Sequence, residues 1–359
     1  MDKKNKAVLL APLPPPYGGI QTWTVRVTQT ELKNGWSFAV VDEKPVGRGI
    51  FGTKNKRNYL REIGRCRNIW HNLKKEIKSP DVKIVHSCIP SYTLSMMREY
   101  VCACIAKRKG KKFVTHFRCT VPNTTQGQFG WKLLKKLCDK SDMIFALNTP
   151  SEESLKKISK TPVKIIPNFV SRDEIAEAKT IGSEMKTVLF IGGMIEPKGV
   201  KDLLDIAKKM PELYFRFVGD GDDFSEYVRE NGIGNAVFTG QKDRAGVKEE
   251  LKNADVFAFL SHFRGEGFSN ALCEAMAAGL PCLVTDWAAN ADMIGNDGGE
   301  VIDVGDIDSA VDALNKMKPY EVRKKQSDAN MEKVKKLYND RVVSDMIVDA
   351  YEEILGEKA

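Results

Sequence analysis

The residues best suited to chemistry are two glutamates eight positions apart, Glu266 and Glu274. Glu266 lies in a glycine-flanked loop after an apolar run, and Glu274 lies in a segment, Asn270 to Gly279, whose pattern predicts a helix ended by glycine. Both carboxylates can therefore face one pocket at the start of that helix. Free N–H groups and the positive end of the helix dipole favour phosphate there, and carboxylates accept hydrogen bonds from vicinal hydroxyls. Phosphate together with a diol predicts a nucleotide sugar as the ligand.

Short β-branched apolar segments alternate along the chain with segments long enough for helices. This alternation predicts an α/β fold with parallel sheets covered on both faces. We expect two tandem Rossmann-like domains that face each other across a cleft, because ligands bind beyond the carboxyl ends of parallel strands. The predicted strands are 7–13, 37–42, 82–87, 112–117, 143–147 and 163–166, then 188–191, 214–218, 236–239, 256–260, 282–285 and 300–303.

The chain of 359 residues is long enough for two domains. The segment 166–173 follows the last strand of the first half and is the best linker candidate. We therefore predict a first domain over residues 1–170 and a second over residues 171–340. Residues 341–359 carry apolar side chains at helical spacing, which predicts a C-terminal helix that packs back on the first domain.

Charge is divided unequally between the halves. Residues 1–170 hold 32 Lys and Arg against 12 Asp and Glu, a net charge of +20, whereas residues 171–359 hold 24 against 36, a net charge of −12. The first half is therefore suited to an anionic partner, such as nucleic acid, an anionic membrane or a phosphate-bearing substrate. Nucleic acid is disfavoured because no recognised binding module is present.

Two basic amphipathic segments, 57–78 and 131–140, bear on the choice of partner. Such helices can lie in an anionic membrane interface, and they can equally bury their apolar stripe against a sheet. The sequence leaves both alternatives open.

Several other classes of protein are excluded or disfavoured. No apolar run approaches the roughly 20 residues that cross a bilayer, and the run 7–13 leads into three prolines, as a strand does before a loop. The eight cysteines include no C-x-x-C pair and the four histidines are scattered, which argues against a disulfide framework or a zinc site and for the cytoplasm. A dehydrogenase is disfavoured because no G-x-G-x-x-G follows the first strand.

The glutamate pair stands in the segment EGFSNALCEAMAAGLP, which resembles the signature of the family 4 retaining glycosyltransferases, whose fold is called GT-B. The resemblance covers nearly the whole chain. Further segments fall in the family's order and spacing: the glycine loop 14–20, Thr115-His116, the connector 165–168, and the segments 190–200, 217–221, 254–257 and 285–286.

This resemblance implies a role for each matched residue. Glu274 would hold the ribose hydroxyls of the donor, and Glu266 would contact the transferred sugar near the reacting centre. Lys198 would neutralise the departing diphosphate, and His116 would contact the sugar or the acceptor, so the expected catalytic residues are Glu266, His116 and Lys198. Backbone N–H groups of Gly18 and Gly19 would approach the donor phosphates. The expected donor-binding set also includes Arg264, Gly267, Phe268, Ser269 and Asn270.

One departure from the family pattern concerns the phosphate-binding cations. Family members commonly carry an arginine five residues before the lysine, where this chain has Gly193. Either Arg264 or a basic side chain of the other domain replaces it, or the donor binds more weakly. The pair Asp220 and Asp222 has the spacing of a metal-holding D-x-D motif but stands in a glycine turn after a strand. We expect no cofactor and a reaction independent of metal.

The resemblance implies a retaining glycosyltransferase of the hexosyl type. Its donor would be a nucleotide-diphosphate sugar of the UDP or GDP type, bound by the second domain. Its acceptor would be a glycolipid or saccharide used in bacterial surface polysaccharide synthesis, taken by the first domain, which would also dock on the inner face of the cytoplasmic membrane. Two alternatives remain: a nucleotide-sugar epimerase or hydrolase of the same fold, and a catalytically weak nucleotide-sugar-binding protein, which Gly193 would favour.

Overall fold

The computed structural model describes residues 5–16, 18–44 and 59–356. The chain forms two compact units, the first made of residues 1–168 with 340–359 and the second of residues 169–339. The domain boundary predicted after residue 170 lies two residues beyond the point at which the units divide. The first unit is therefore discontinuous in sequence, because the end of the chain returns to it.

The first unit contains a six-stranded sheet whose paired strands all run parallel, in the order β2-β1-β3-β4-β5-β6. Its strands are nearly continuous apolar runs, as expected where a parallel sheet is buried. In chain order its elements are β1 (Lys6–Ala11), α1 (Gly19–Gln29), β2 (Ser37–Asp42), α2 (Tyr59–Glu76), β3 (Val82–Ile89), α3 (Thr93–Arg108), β4 (Lys112–Phe117), α4 (Val121–Thr124), α5 (Gly127–Lys140), β5 (Met143–Ala146), α6 (Thr149–Ile158) and β6 (Val163–Ile165).

The second unit contains another parallel six-stranded sheet, in the order β12-β11-β10-β7-β8-β9. Its elements are β7 (Thr187–Ile191), α7 (Val200–Lys209), β8 (Tyr214–Val218), α8 (Ser225–Glu230), β9 (Ala236–Gly240), α9 (Arg244–Asn253), β10 (Val256–Phe259), α10 (Asn270–Ala277), β11 (Cys282–Thr285), α11 (Asn290–Ile294), β12 (Gly299–Ile302), α12 (Ile307–Met317) and α13 (Tyr320–Leu337). All twelve predicted strands are present with ends within two residues of the predicted ones, which confirms the α/β class and the two tandem parallel sheets.

Each sheet has a point at which the strand order reverses. This point lies between β1 and β3 in the first unit and between β7 and β10 in the second. The loops that leave the two neighbouring strands diverge there and open a crevice at the carboxyl edge of the sheet, where α/β proteins bind ligands. The loops after β7 and β10 are those that contain Lys198 and Glu266.

The last helix, α14 (Asp340–Leu355), belongs to the first unit. Its buried stripe includes Val343, Ile347 and Tyr351, and the Tyr351 ring lies 5.1 Å from that of Trp36. Ion pairs of Lys33 with Asp349 and of Lys164 with Glu353 attach its exposed side to the same unit.

The basic segments predicted to be amphipathic are largely used in the core. In α2 the apolar residues Ile69 and Leu73 are buried, and in α5 Leu134 and Leu137 are buried, all in the same hydrophobic cluster of the first unit. The apolar stripes therefore pack against the sheet, which was one of the two alternatives. In the part of the chain that the structure describes, the helices are too short or too polar to cross a membrane.

Candidate active site

The second unit brings two predicted site residues together at its topological switch point. A short turn after β7 ends at Lys198, and the loop after β10 contains Glu266. Lys198 Nζ donates a hydrogen bond to Glu266 Oε2 in an ion pair, and the two side chains are 16% and 10% exposed. An ammonium and a carboxylate thus meet where this class of sheet binds its ligands.

Gly199 allows the two loops to approach so closely. Its φ of +80° lies in the region that favours glycine, and a Cβ atom there would lie only 2.4 Å from the carbonyl oxygen of Leu260. In the next residues the backbone N–H of His262 donates to the carbonyl of Pro197 over 2.9 Å. The backbone itself therefore fixes the Lys198 turn against the loop of Glu266.

Three residues brace the loop of Glu266: Ser261, Thr285 and Trp287. Thr285 Oγ1 donates to the carbonyl of Ser261 over 2.7 Å, and Trp287 Nε1 donates to the carbonyl of Phe263 over 2.9 Å. Ser261 Oγ in turn donates to Glu266 Oε2 over 3.3 Å. None of these residues had a predicted role, although Thr285 stood in a matched motif. These residues can brace the Glu266 loop only because the segments after β10 and β11 are in tertiary contact.

The ammonium of Lys198 also lies over aromatic rings. Its Nζ is 5.0 Å from the ring centroid of Phe263 and 5.5 Å from that of Phe259. Aromatic faces attract cations without neutralising them. Glu266 therefore balances the charge of this ammonium, and an anionic ligand would compete with Glu266 for it.

The helix that carries Glu274 begins as predicted and is ended by the predicted glycine. Ser269 is its N-cap, and Ser269 Oγ accepts a hydrogen bond from the N–H of Leu272 over 3.2 Å. The last helical residue is Ala277, and Gly279 follows with a φ of +76°, in the left-handed conformation of the predicted glycine cap. Glu274 is half-buried on this helix. The remaining expected donor-binding residues of this region differ in exposure: Gly267 and Phe268 are buried, Asn270 is half-buried and Arg264 is exposed.

Gly193 occupies open space. No atom lies within 4 Å of a Cβ built on it, and its φ lies outside the left-handed region. The backbone at this position therefore has room for a larger side chain, including the arginine that the family pattern would place there. Whether Arg264 supplies the missing cation stays a prediction.

The glycines predicted to approach the donor phosphates lie in the first unit. Gly18 is the N-cap of α1 and Gly19 is its first residue. A Cβ on Gly18 would lie 2.9 Å from the Oε1 atom of Gln21, at the end of a flexible side chain. The contact of these glycines with phosphate stays a prediction.

His116 is fully buried within the first unit. Its Nδ1 atom lies 3.2 Å from Nε2 of His86, and its Nε2 atom lies 3.0 Å from Nη1 of Arg118. The Nδ1 atom of His86 lies 2.5 Å from the hydroxyl oxygen of Tyr351. With no exposed surface, the ring cannot touch a sugar in this arrangement, so the predicted contact requires His116 to become exposed.

Arg118 fixes the positions of the protons along this chain. A guanidinium only donates, so His116 Nε2 must accept and the proton of a neutral ring lies on Nδ1, which then donates to His86. Burial lowers the pKa of His86 to about 3 and that of His116 well below its usual value, so both rings are neutral near pH 7. His86 Nδ1 then donates to Tyr351.

The same histidines form a group that the sequence did not foresee. The ligating atoms of His86, Cys88 and His116 lie within 4.8 Å of one another, because β3 and β4 pair with Cys88 beside His116. However, the proton on His116 Nδ1 occupies the nitrogen that faces His86, and burial raises the pKa of the Cys88 thiol. The arrangement therefore fits a hydrogen-bond chain better than a metal centre.

Asp220 and Asp222 lie in the exposed turn after β8. Asp220 Oδ1 accepts a hydrogen bond from the N–H of Gly221 over 2.9 Å, and the N–H of Asp222 donates to the carbonyl of Met194 over 2.6 Å. These bonds shape the turn, which lines an open depression with Met194 and Phe238. Metal binding by this pair stays disfavoured on its sequence context alone.

The chain is similar to known glycosyltransferases. Residues 171–336 match the family described as "Glycosyl transferases group 1". The phosphatidyl-myo-inositol mannosyltransferase of Mycobacterium leprae is 33% identical over 201 residues, 53% of each chain, so the match spans about half the length of that relative. The lipopolysaccharide 1,6-galactosyltransferase of Salmonella typhimurium is 28% identical over 282 residues, 75% of this chain and 73% of that one.

Solved structures share the fold over nearly the whole chain. Sucrose-phosphate synthase from Thermosynechococcus elongatus has a TM-score of 0.79 at 13% identity, covering 98% of this chain and 99% of that one. Anabaena HepE in complex with UDP has a TM-score of 0.73 at 13% identity, covering 97% and 100%. Through residues 171–336 the chain is thus similar to the family described as glycosyl transferases group 1.

Proposed function

We propose that this protein is a retaining glycosyltransferase of the hexosyl type. It would move a sugar from a nucleotide-diphosphate sugar to a lipid-linked saccharide during bacterial surface polysaccharide synthesis. The observation that carries the proposal is the Lys198–Glu266 pair at the switch point of the second unit. An ammonium there can neutralise a departing diphosphate, and a carboxylate can accept hydrogen bonds from the sugar.

The donor is a nucleotide-diphosphate sugar of the UDP or GDP type. Binding would make the diphosphate compete with Glu266 for the ammonium of Lys198, which releases the carboxylate toward the sugar hydroxyls. Glu274, on the capped helix α10, would hold the ribose hydroxyls. The structural similarity to HepE, described in complex with UDP, supports a nucleotide donor.

The acceptor is a saccharide carried on a lipid. The names of both relatives contain a lipid with a polyhydroxylated headgroup, phosphatidyl-myo-inositol in one and lipopolysaccharide in the other. The +20 charge of residues 1–170 is consistent with an acceptor that bears phosphate at an anionic surface. On this basis the protein works in the cytoplasm, as a peripheral protein on the inner face of the membrane.

The reaction would proceed without a metal ion. Lys198 and the N–H groups at the start of α10 supply positive potential for the leaving diphosphate. Activity should therefore survive EDTA. Complete loss of activity on chelation, with recovery on adding Mg²⁺ or Mn²⁺, would contradict this part of the proposal.

The test combines binding with transfer. Thermal-shift measurements with UDP, GDP and ADP identify the base, since a ligand at 100 times its dissociation constant adds about 2.7 kcal/mol of stability. Transfer is then measured with the matching nucleotide sugars and a lipid-linked saccharide. Turnover of the donor without an acceptor would favour the epimerase or hydrolase, and donor binding without any turnover would favour the binding protein that Gly193 allows.

A further inference from the structure

Arg118 is a buried cation whose partners are all neutral. It follows β4, is 6% exposed, and holds its guanidinium 4.3 Å from the ring centroid of Trp23. Nη1 donates to His116 and Nη2 donates to Asn168 Oδ1. Among the described residues its Nε atom has no partner. Its charge is therefore left uncompensated by these contacts.

Arg98, a buried arginine of comparable exposure in the same unit, shows how the charge of a buried guanidinium is usually compensated. Arg98 is 7% exposed and donates to the carboxylates of both Glu43 and Glu99. Acidic side chains therefore surround its guanidinium and can supply a compensating carboxylate, as expected for a buried ion. Arg118 instead depends on an imidazole, a carboxamide and an indole ring, none of which is ionised.

Arg118 nevertheless stays charged. Burial lowers its pKa to about 10, so the guanidinium is protonated near pH 7. The neutral chain from His116 through His86 to Tyr351 fixes one of its donors in place. An uncompensated charge in a low-dielectric site, with donors already oriented, gains strongly from a bound anion.

We propose that Arg118 binds a phosphate group of a substrate. Guanidinium groups match phosphate oxygens, and Arg118 has a buried Nε–H without a partner. The phosphate would reach it when the site around Arg118 and His116 opens. The phosphate has two sources, the diphosphate of the nucleotide donor and the phosphate of a lipid-linked acceptor. Only the identity of the phosphate-bearing substrate rests on the proposed function.

The decisive variant is Asn168→Asp. It keeps the oxygen that accepts from Arg118 and adds a negative charge beside the guanidinium, so a purely structural role of Arg118 would be preserved. An anion-binding role would instead be lost, because the new carboxylate neutralises the guanidinium that attracts the anion. Calorimetry with inorganic pyrophosphate and with farnesyl monophosphate separates the two sources. Both titrations use Lys198→Ala as the parent, so that the second unit's ammonium does not bind the probe.

We expect Asn168→Asp to raise the dissociation constant of at least one probe by tenfold or more, with the melting temperature unchanged or higher. Arg118→Met should do the same, and Arg118→Lys should retain part of the binding. Asn148→Asp is the matched control, because it makes the same change at a buried N-cap where Asp also accepts from the N–H of Ser151. The hydroxyl of Thr120, which now accepts from Asn148 Nδ2, can rotate to donate to the new carboxylate. Equal binding by the parent and Asn168→Asp, or no binding of either probe by the parent, would overturn the proposal. Glycosyl transfer is not measured, so failure of the proposed function would leave this result intact.

Discussion

Lys198 and Glu266 are each other's counter-ions, so changing either residue changes the other's electrostatics. Glu274 lies apart on α10, where a role in holding ribose would not alter the reacting centre. Replacing Glu266 and replacing Glu274 should therefore affect different steps of the reaction.

We expect Glu274→Ala to weaken donor binding and Glu266→Ala mainly to lower kcat. A hydrogen bond to a charged group is worth roughly 1.5 to 3 kcal/mol, so each change should cost at least tenfold. Calorimetry with the nucleoside diphosphate and steady-state transfer separate the two effects. Glu249→Ala, on the exposed surface of α9, is the matched control and should leave both quantities unchanged. Near wild-type transfer by both site variants would contradict the assignment of Glu266 and Glu274 to the active site.

Gly193 offers a gain-of-function test. Because a side chain at this position meets open space, Gly193→Arg should fold and add a second cation five residues before Lys198. We expect the dissociation constant of the nucleoside diphosphate to fall by about tenfold, the size of one charge-assisted contact. Gly193→Gln, of similar length and no charge, serves as the control. Equal affinity of the two variants would mean that the family's arginine has no counterpart site here.

Glu43 should make stability depend on pH. Burial, and then Glu99 beside it, raise its pKa well above the usual value, although Arg98 opposes this. The unfolded chain therefore loses a proton near pH 4 that the folded protein keeps, and wild-type stability falls as pH rises through that window. Relative to wild type, Glu43→Gln should become more stable as pH rises above about 4, measured by urea denaturation.

The control for this experiment is Glu250, whose pKa is shifted in the opposite direction from that of Glu43. Hydrogen bonds from Arg216 lower the pKa of Glu250 to about 2, so its stabilising effect is present at neutral pH and is lost as pH falls below about 4. Glu250→Gln should therefore be less stable than wild type at pH 7, with a smaller difference at pH 3. If Glu43→Gln followed the pattern of Glu250→Gln, the raised pKa would be wrong.

At the scale of elements, strands were predictable and their side-chain contacts were not. Apolar β-branched runs of four to eight residues identify buried strands whatever surrounds them. The chain of His116, His86 and Tyr351 depends on the register that sets Cys88 beside His116, and on a helix about 235 residues further along. Sequence spacing carries no information on either. His116, one of the three residues that the resemblance marked as catalytic, is therefore buried.

The loop after β11 contains a strained residue. Ala288 has a φ of +57°, in the left-handed region that costs a side chain roughly 1 to 2 kcal/mol. Ala288→Gly should raise the free energy of unfolding by about 1 kcal/mol, less the entropy that glycine adds to the unfolded chain. Urea denaturation measures the change. Its neighbour Ala289, with a φ of −103°, is the control, and Ala289→Gly should destabilise the protein.

At the scale of the whole molecule, positive and negative charge are divided between the two halves of the chain. The +20 segment and the −12 segment coincide closely with the two units, so the basic surface belongs to one body and the candidate donor pair to the other. Although the apolar stripes of α2 and α5 are buried, Leu60, at 81% exposure, and Phe129, at 63%, stand at the starts of these helices. Basic side chains with exposed apolar residues fit an anionic lipid surface.

The charge division can be tested with vesicles. If the first unit docks on anionic lipid, each lysine near the surface contributes about 1 kcal/mol, and the attraction decays within a Debye length of about 8 Å at physiological salt. The protein should sediment with anionic but not zwitterionic liposomes, and added salt should release it. Replacing four lysines of α5 with glutamine, or three near the end of α2, should weaken this binding by at least tenfold and leave donor affinity intact. The lysines are 132, 135, 136 and 140, or 74, 75 and 78.

The matched control removes the same charge from the second unit, at four lysines of α13: 324, 325, 335 and 336. This variant has the same net charge as the α5 variant, so a nonspecific response to total charge would weaken both equally. If the first unit docks on the membrane, only the α5 variant should lose binding to anionic liposomes. Phe129→Ser should add to that loss without changing the charge, because an inserted aromatic side chain contributes apolar area. If wild type ignores anionic liposomes at low salt, the basic unit serves a soluble anionic acceptor or solubility, and the lipid-linked acceptor loses its electrostatic support.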